Sequence, residues 1–235
     1  MQSQDTESLV YFKLVPAIVA NKNRIIGGLV AVIAVILLVL FLSWQKNQKE
    51  INAGQAYSQL WVSAQTGVAP ADLASQYLKI AGDYASTQTA QRALLQGAAI
   101  LFSTGNYADA QTQFQKFADT YPNSPLLSTA QLGIAASFEA LGKADAAQAA
   151  YHKVLDTYTD PVSQLSSKFA IARIDEQQGK PADALRYYQE IAHAAPSSAL
   201  GQQANLKAVE LAALLPKAPM APAPAASMPM VTPAK

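Results

Sequence analysis

The stretch GNYADAQTQFQKFADTYP, running from Gly105 to Pro122, decides the fold. Tyr107, Ala110, Phe114, Phe117 and Tyr121 recur at steps of three or four, the spacing that gathers side chains into one stripe on an α-helix. Gly105 tolerates the positive φ that ends a preceding helix, and Pro122 stops the following one. Upstream, AQRALLQGAAILF places Ala90, Leu94, Gly97, Ala98 and Leu101 on a second helical stripe. The unit therefore reads as helix, tight turn, helix. Ser124 and Pro125 suit the N-cap and first turn of the helix after it.

The phrase returns. Gly105-Asn-Tyr-Ala-Asp-Ala110, Gly142-Lys-Ala-Asp-Ala-Ala147 and Gly179-Lys-Pro-Ala-Asp-Ala184 have glycines 37 residues apart twice (142 − 105 and 179 − 142). Four columns share that step: Tyr77, Phe114, Tyr151 and Tyr188; Tyr84, Tyr121 and Tyr158; Ile80, Phe117, Val154 and Ile191; Ala56, Ala93 and Ala130. A fixed period of this length is the signature of a repeat architecture, here about four units beginning near Ala53. Ala98, Ala135 and Ala172 precede the turn glycines, and Ala110, Ala147 and Ala184 follow them. Paired small residues let the two helices of a unit approach closely, and the aromatic of the second helix fills the gap to the next unit. One such pair cannot cover its own apolar face, so the units must stack into a curved solenoid.

Ahead of the repeats, Ile25 to Trp44 reads IIGGLVAVIAVILLVLFLSW, with no charge and no proline. At ~1.5 Å per residue this run spans ~30 Å, the thickness of a bilayer's hydrocarbon core. Trp44 and the cations Lys22 and Arg24 suit the two interfaces. The run is too long, and lacks the small-residue site, for a cleaved signal peptide. Lys13, Lys22 and Arg24 on the N-terminal flank against Lys46 and Lys49 on the other place the N-terminus in the cytoplasm. Leu9 to Ala20, interrupted by Lys13 and Pro16, suits an amphipathic segment on the membrane surface. The expected organisation is a short cytoplasmic N-terminus over 1–24, a transmembrane helix over 25–44, a repeat domain over 45–215, and a disordered Ala/Pro-rich tail over 216–235. Ser197 or Ser198 would cap a final helix, Ala199 to Leu215, with Gln202, Gln203, Asn205, Lys207 and Glu210 as its polar outer face.

Composition limits the chemistry. Seventeen basic and 16 acidic residues leave a net charge of +1, too little to gather nucleic acid. Cysteine is absent, which removes disulfides, thiolate metal sites and a thiol nucleophile. The two histidines, His152 and His193, stand 41 apart without ligand-spaced partners and are expected to face solvent. Asp109, Asp145 and Asp183 fall in first helical turns, where a carboxylate favours the helix dipole. Asp175 and Glu176 are adjacent and point in different directions. No cofactor, no small-molecule substrate and no catalytic residue can be read. A hydrolase of envelope polymers, the competing class, would need a clustered titratable set. A third class, an oligomeric membrane organiser, predicts self-association.

The pattern Ala…Gly-x-Tyr-x-x-Ala-x-x-x-Phe-x-x-Phe…Tyr-Pro, from Ala98 to Pro122, resembles the tetratricopeptide repeat. The 37-residue period with Tyr-Pro-Asn-Ser-Pro between units resembles the variant in bacterial envelope proteins such as the TolA-binding coordinator of cell division. Asn21-Lys-Asn-Arg24 before the apolar run, Trp44-Gln45 after it, and the Ala/Tyr-rich helices that follow are similar to the YfgM-like ancillary subunits of the bacterial Sec translocon. That resemblance implies an all-α inner-membrane protein with one span and a periplasmic repeat domain, whose partners are translocon subunits and periplasmic chaperones. An envelope-assembly or cell-division scaffold is the alternative. In the family's register, Arg92, Leu95, Phe102, Leu132, Glu139, Phe169, Arg173 and Glu176 would line the concave, partner-binding face.

Overall fold

The computed structural model describes residues 22–65 and 67–215. The segment Leu9 to Ala20 and the tail from Pro216 lie outside these residues. Among the described residues every regular element is an α-helix, in the order α1 Lys22–Gln65, α2 Pro70–Asp83, α3 Gln88–Ser103, α4 Tyr107–Thr120, α5 Leu127–Ala140, α6 Ala144–Thr157, α7 Pro161–Gln177, α8 Pro181–Ala194 and α9 Ala199–Leu214. The chain divides into two compact units, Met1–Gly97 and Ala98–Lys235, with α3 starting in the first and ending in the second.

In the first unit α1 is one unbroken helix of 44 residues, about 66 Å long. The apolar run and the first helix of the repeats are thus continuous, and no helix end falls at Trp44. By length and composition α1 can cross a membrane, and none of its apolar window is buried against the rest of the protein. Gly67 takes φ +89° at the turn into α2. It stands 38 residues before Gly105, outside the 37-residue spacing of the other turn glycines. Tyr77 on α2 is buried and meets Tyr57 of α1, ring centroids 5.1 Å apart.

The start of α3 is satisfied from two directions. Thr87 Oγ1 accepts from Ala90 N at 3.0 Å, while Glu50 of α1 accepts from Gln88 N at 2.7 Å, Thr89 N at 2.9 Å and Thr89 Oγ1 at 2.7 Å. A carboxylate here neutralises the positive helix end and occupies orphan N–H groups. Burial alone would raise the Glu50 carboxyl. The bonds from Thr89 and Gln88, with the nearby charge of Arg92, outweigh it and hold the group below its ordinary value.

In the second unit each helix packs on the next, α4 on α5 through α8 on α9, and α5 also meets α7. We call the first helix of each hairpin A (α3, α5, α7) and the second B (α4, α6, α8). Each A helix closes the same way. Gly105, Gly142 and Gly179 take φ of +84°, +73° and +72°. The residues after them, Asn106, Lys143 and Lys180, donate N–H to Leu101 O, Phe138 O and Asp175 O at 2.9, 2.9 and 2.8 Å. This six-residue closure is the Schellman motif, for which a left-handed glycine is the suitable residue.

The small-residue columns form the crossings, for Ala98, Ala110, Ala135, Ala147, Ala172 and Ala184 all have zero exposure. The aromatic column is buried beside them, with Phe114 at 5%, Tyr151 at 4% and Tyr188 at 1% exposed. Phe114 lies so close over Gly133 of α5 that a Cβ there would sit 2.6 Å from its ring.

Some expectations change. Ser124 is not an N-cap: α5 begins at Leu127, and the Ser124 Oγ accepts from Leu126 N at 3.2 Å inside the intervening turn. Asp160, at the N-cap of α7 before Pro161, accepts from Ser163 N at 2.9 Å. Ser198 caps α9 through Gly201 N at 2.9 Å. The outer face of α9 is not wholly polar, because Leu206, Val209 and Leu214 are 72%, 63% and 74% exposed.

Two of these contacts can be tested by stability measurements. The alanine column Ala93, Ala130, Ala204 is interrupted by Ser167, whose buried hydroxyl has no partner among the described residues. Ser167→Ala removes an unpaired polar group at no loss of packing and is expected to raise stability by up to about 1 kcal/mol in chemical denaturation. Glu50→Gln is expected to cost about 1 kcal/mol and to speed hydrogen exchange at Gln88 and Thr89. Since the folded Glu50 value is depressed, its contribution is complete above the ordinary 4.5 and is lost as pH falls below it. The Gln variant should lack that part of the acid sensitivity.

Candidate functional site

Five of the A-helix residues read as a binding face, Phe102, Glu139, Phe169, Arg173 and Glu176, carry specific polar or ring contacts in the second unit. Leu132 sits with them in that unit, while Arg92 and Leu95 belong to the first. None of the eight is buried; Arg92 and Arg173 are exposed and the others half-buried.

The charged members are held by one another and by their neighbours. Glu139 on α5 takes Arg173 of α7 on Oε1, at 2.6 and 2.9 Å, and the Tyr151 hydroxyl of α6 on Oε2 at 3.1 Å. One step of 37 residues later Glu176 on α7 accepts from the Tyr188 hydroxyl of α8 at 2.8 Å and from Lys207 of α9 at 3.4 Å. In both places a glutamate on an A helix joins its own B helix to the next A-type helix. Burial, then the glutamate's charge and hydrogen bond, pushes both tyrosine hydroxyls well above their ordinary value, so they remain donors. The same register positions in α3 and α4 hold Phe102 and Phe114. Where the carboxylate is missing, the opposing ring has no hydroxyl to satisfy.

The apolar members are partly covered. Phe102 meets Tyr107 edge-on at 5.1 Å and Phe169 meets Tyr188 edge-on at 5.4 Å. Neither ring stands free. Leu132 packs on the cluster of Ala135, Ala147 and Tyr151. Leu95, Leu132 and Phe169 are nevertheless one column at the 37-residue step, half-exposed in each A helix. Two residues were not singled out from the sequence: Leu206, the next member of that column, and Lys207 as a partner of Glu176. Adding 37 to Phe169 finds the first.

Asp175 and Glu176 do diverge, as expected. Asp175 is 3% exposed and accepts from Gln148 Nε2 at 2.9 Å, bracing α7 against α6. Its burial was not legible in the sequence. His193 is exposed, but His152 is half-buried rather than solvent-facing, on the flank of α6 next to the buried Tyr151. Asp109, Asp145 and Asp183 do lie in first turns of B helices.

A family model described as a tetratricopeptide repeat-like domain matches residues 19–150, which takes in all of α1 and runs into α6. Comparison with curated proteins returned no match. Among solved structures the chain is similar to a putative kinesin light chain of Podosopora anserina with nearly identical TPR-like repeats. The identity is 12%, the TM-score 0.48, and the match covers 70% of this chain and 84% of that one. A form of that same protein with one substitution matches equally, at 12% identity and TM-score 0.48, over 70% and 84% of the two chains.

The Glu139–Tyr151 contact is testable by a double-mutant cycle. Glu139→Ala and Tyr151→Phe are each expected to destabilise the fold, with a coupling of about 1–2 kcal/mol in denaturant titrations. A coupling near zero would mean that the hydroxyl and the carboxylate do not act as a pair.

Proposed function

Since the chain belongs to the tetratricopeptide repeat-like domain family, we propose that it is a membrane-anchored adaptor which holds a segment of another protein on the faces of its A helices. It works by binding and not by catalysis. The observation that carries this reading is the pair Leu132 and Phe169 of the second unit, one repeat apart, whose apolar side chains keep part of their surface open. An aromatic such as Phe169 beside an arginine such as Arg173 has the composition enriched at interfaces. Glu139, Arg173 and Glu176 flank the pair, already positioned by their own contacts, so a partner need not order them.

The anchor is α1. Its apolar part supports an integral helix with a single crossing over 25–44, ahead of repeats over 45–215; Lys13, Lys22 and Arg24 against Lys46 and Lys49 support a cytoplasmic N-terminus, and the resemblance to the YfgM-like subunits supports periplasmic repeats at a bacterial inner membrane. Tethering raises the effective concentration of the repeats toward partners in the same bilayer. The resemblance of Asn21 to Arg24 and Trp44-Gln45 to the YfgM-like subunits supports a finer role, accessory to protein translocation or to hand-over to periplasmic chaperones.

Two measurements test this. The chain has no native cysteine, so a single thiol introduced at exposed Gln203 reports topology. It should react with a membrane-impermeant reagent outside intact spheroplasts; reaction only after lysis would reverse the orientation. A photo-crosslinker at Leu132 in cells should capture translocase subunits or chaperones. Phe169→Asp should weaken that capture by about tenfold or more, the effect of losing one apolar anchor, with helicity unchanged. Capture of division or envelope-assembly factors instead would favour the scaffold role. Capture that is indifferent to Phe169→Asp would remove the A-helix face from the function.

A further inference from the structure

In the first unit the packed face of α1 ends, toward its apolar run, in two lysines. Ala53 of α1 has zero exposure, and Glu50, three residues before it, holds the first amides of α3. Lys46 stands four residues before Glu50 and seven before Ala53, and Lys49 stands four before Ala53, so all four lie on one side of the helix. Both lysines are exposed. Elsewhere around this stretch Gln45, Asn47, Gln48 and Asn52 carry no charge. The cations past Trp44 are thus gathered on the side where α2 and α3 pack, not spread around the helix.

The corner between α2 and α3 comes down toward the same level. Tyr77 of α2 meets Tyr57, whereas Gln88 and Thr89, eleven and twelve residues on, meet Glu50, seven residues nearer Trp44. α2 therefore runs back along α1. Glu50 stands six residues past Trp44, which is ~9 Å along the helix axis, and a headgroup layer is ~5–7 Å thick on each side of the hydrocarbon. Asp83, Ala85 and Ser86 are exposed at this corner. Arg92 is exposed on α3, acts electrostatically on Glu50, and, like other helical side chains, leans toward its helix N-terminus.

Resting on the reading of α1 as a membrane span, we propose that the α2–α3 corner lies on the headgroup layer of the leaflet where α1 emerges, and that Lys46, Lys49 and Arg92 hold anionic lipid headgroups there. The charges at this end favour such an occupant. Lys46, Lys49, Lys79 and Arg92 stand against Glu50 and Asp83, four cations to two carboxylates. Both carboxylates are engaged: Glu50 takes Gln88 on Oε2 and Thr89 on Oε1, and Asp83 pairs with Lys79. Lys46, Lys49 and Arg92 keep exposed side chains within a Debye length of the phosphates, close enough to gain from them. The surface shares no residue with the Leu132 and Phe169 pair, so partner capture and lipid contact fail separately.

The test uses the full chain in lipid nanodiscs. The chain has no native cysteine, so single nitroxide labels can be placed at Ser86→Cys, at Ala69→Cys in the far turn of the same unit, and at Leu37→Cys in the apolar run. Exposure to a neutral, water-soluble nickel relaxant is read by electron paramagnetic resonance. As phosphatidylglycerol is titrated into phosphatidylcholine, the Ser86 label should lose exposure while the Ala69 label keeps it. The phosphatidylglycerol fraction giving half of that loss should rise about fivefold in Lys46→Gln or in Lys49→Gln, the effect of one cation at an anionic surface. Both lysines are exposed, and circular dichroism checks the fold of the variants. A Ser86 label as open to nickel as the Ala69 label in every lipid would overturn the proposal. Shielding that is the same without phosphatidylglycerol, or indifferent to the lysine variants, would overturn the assignment to anionic lipid. A water-exposed Leu37 label would instead remove the membrane span on which the proposal rests.

Discussion

The structure depends on close helix crossings that a hairpin cannot shield alone. Alanines at 135 and 147, and again at 172 and 184, bring A and B helices together with zero exposure. The larger side chains must then reach outward, and the next helix is what covers them. Phe114 over Gly133 shows how tight this is, since no Cβ fits beneath the ring without displacing it. Stability in such an array is a sum over neighbours, so its ends are its weakest-covered parts. The outer face of α9 is the visible consequence.

Polar contacts follow the same period and add specificity to it. A glutamate on an A helix, a tyrosine on its B helix and a cation on the following A-type helix occur together at Glu139 and again at Glu176. A half-buried carboxylate or phenol without its mate is costly, so the members come and go as a set. Phe102 and Phe114 are that set replaced. For function, the charges along the A helices are already committed to holding neighbours in place. Leu132 and Phe169, between those charges, keep part of their apolar surface open.

The first unit joins a membrane-length helix to the repeats without a break. α1 continues from Lys22 to Gln65, and Glu50 clamps it to the N-terminal amides of α3. An unbroken helix transmits orientation as well as distance.

Much was legible in the sequence because it is written in contiguous residues and then repeated. The turn glycines at 105, 142 and 179, the stripes at steps of three and four, the first-turn aspartates and the Ser198 cap are local backbone chemistry, and period 37 multiplies each signal. The apolar run of α1 is equally plain from composition. Other features answer to residues far along the chain or to a neighbour's presence. Glu50 caps a helix 38 positions away, Asp175 is buried by α6, and Ser124 yields its expected cap to the geometry of the turn before α5. Nothing in α9 itself distinguishes Val209 from a buried residue, and the alanines in its column are hidden only because each has a B helix beside it. Period and local conformation were therefore determined by the sequence alone. Which of the repeated positions ends up covered, paired or open was decided by tertiary packing, because coverage is a property of two helices and not of one.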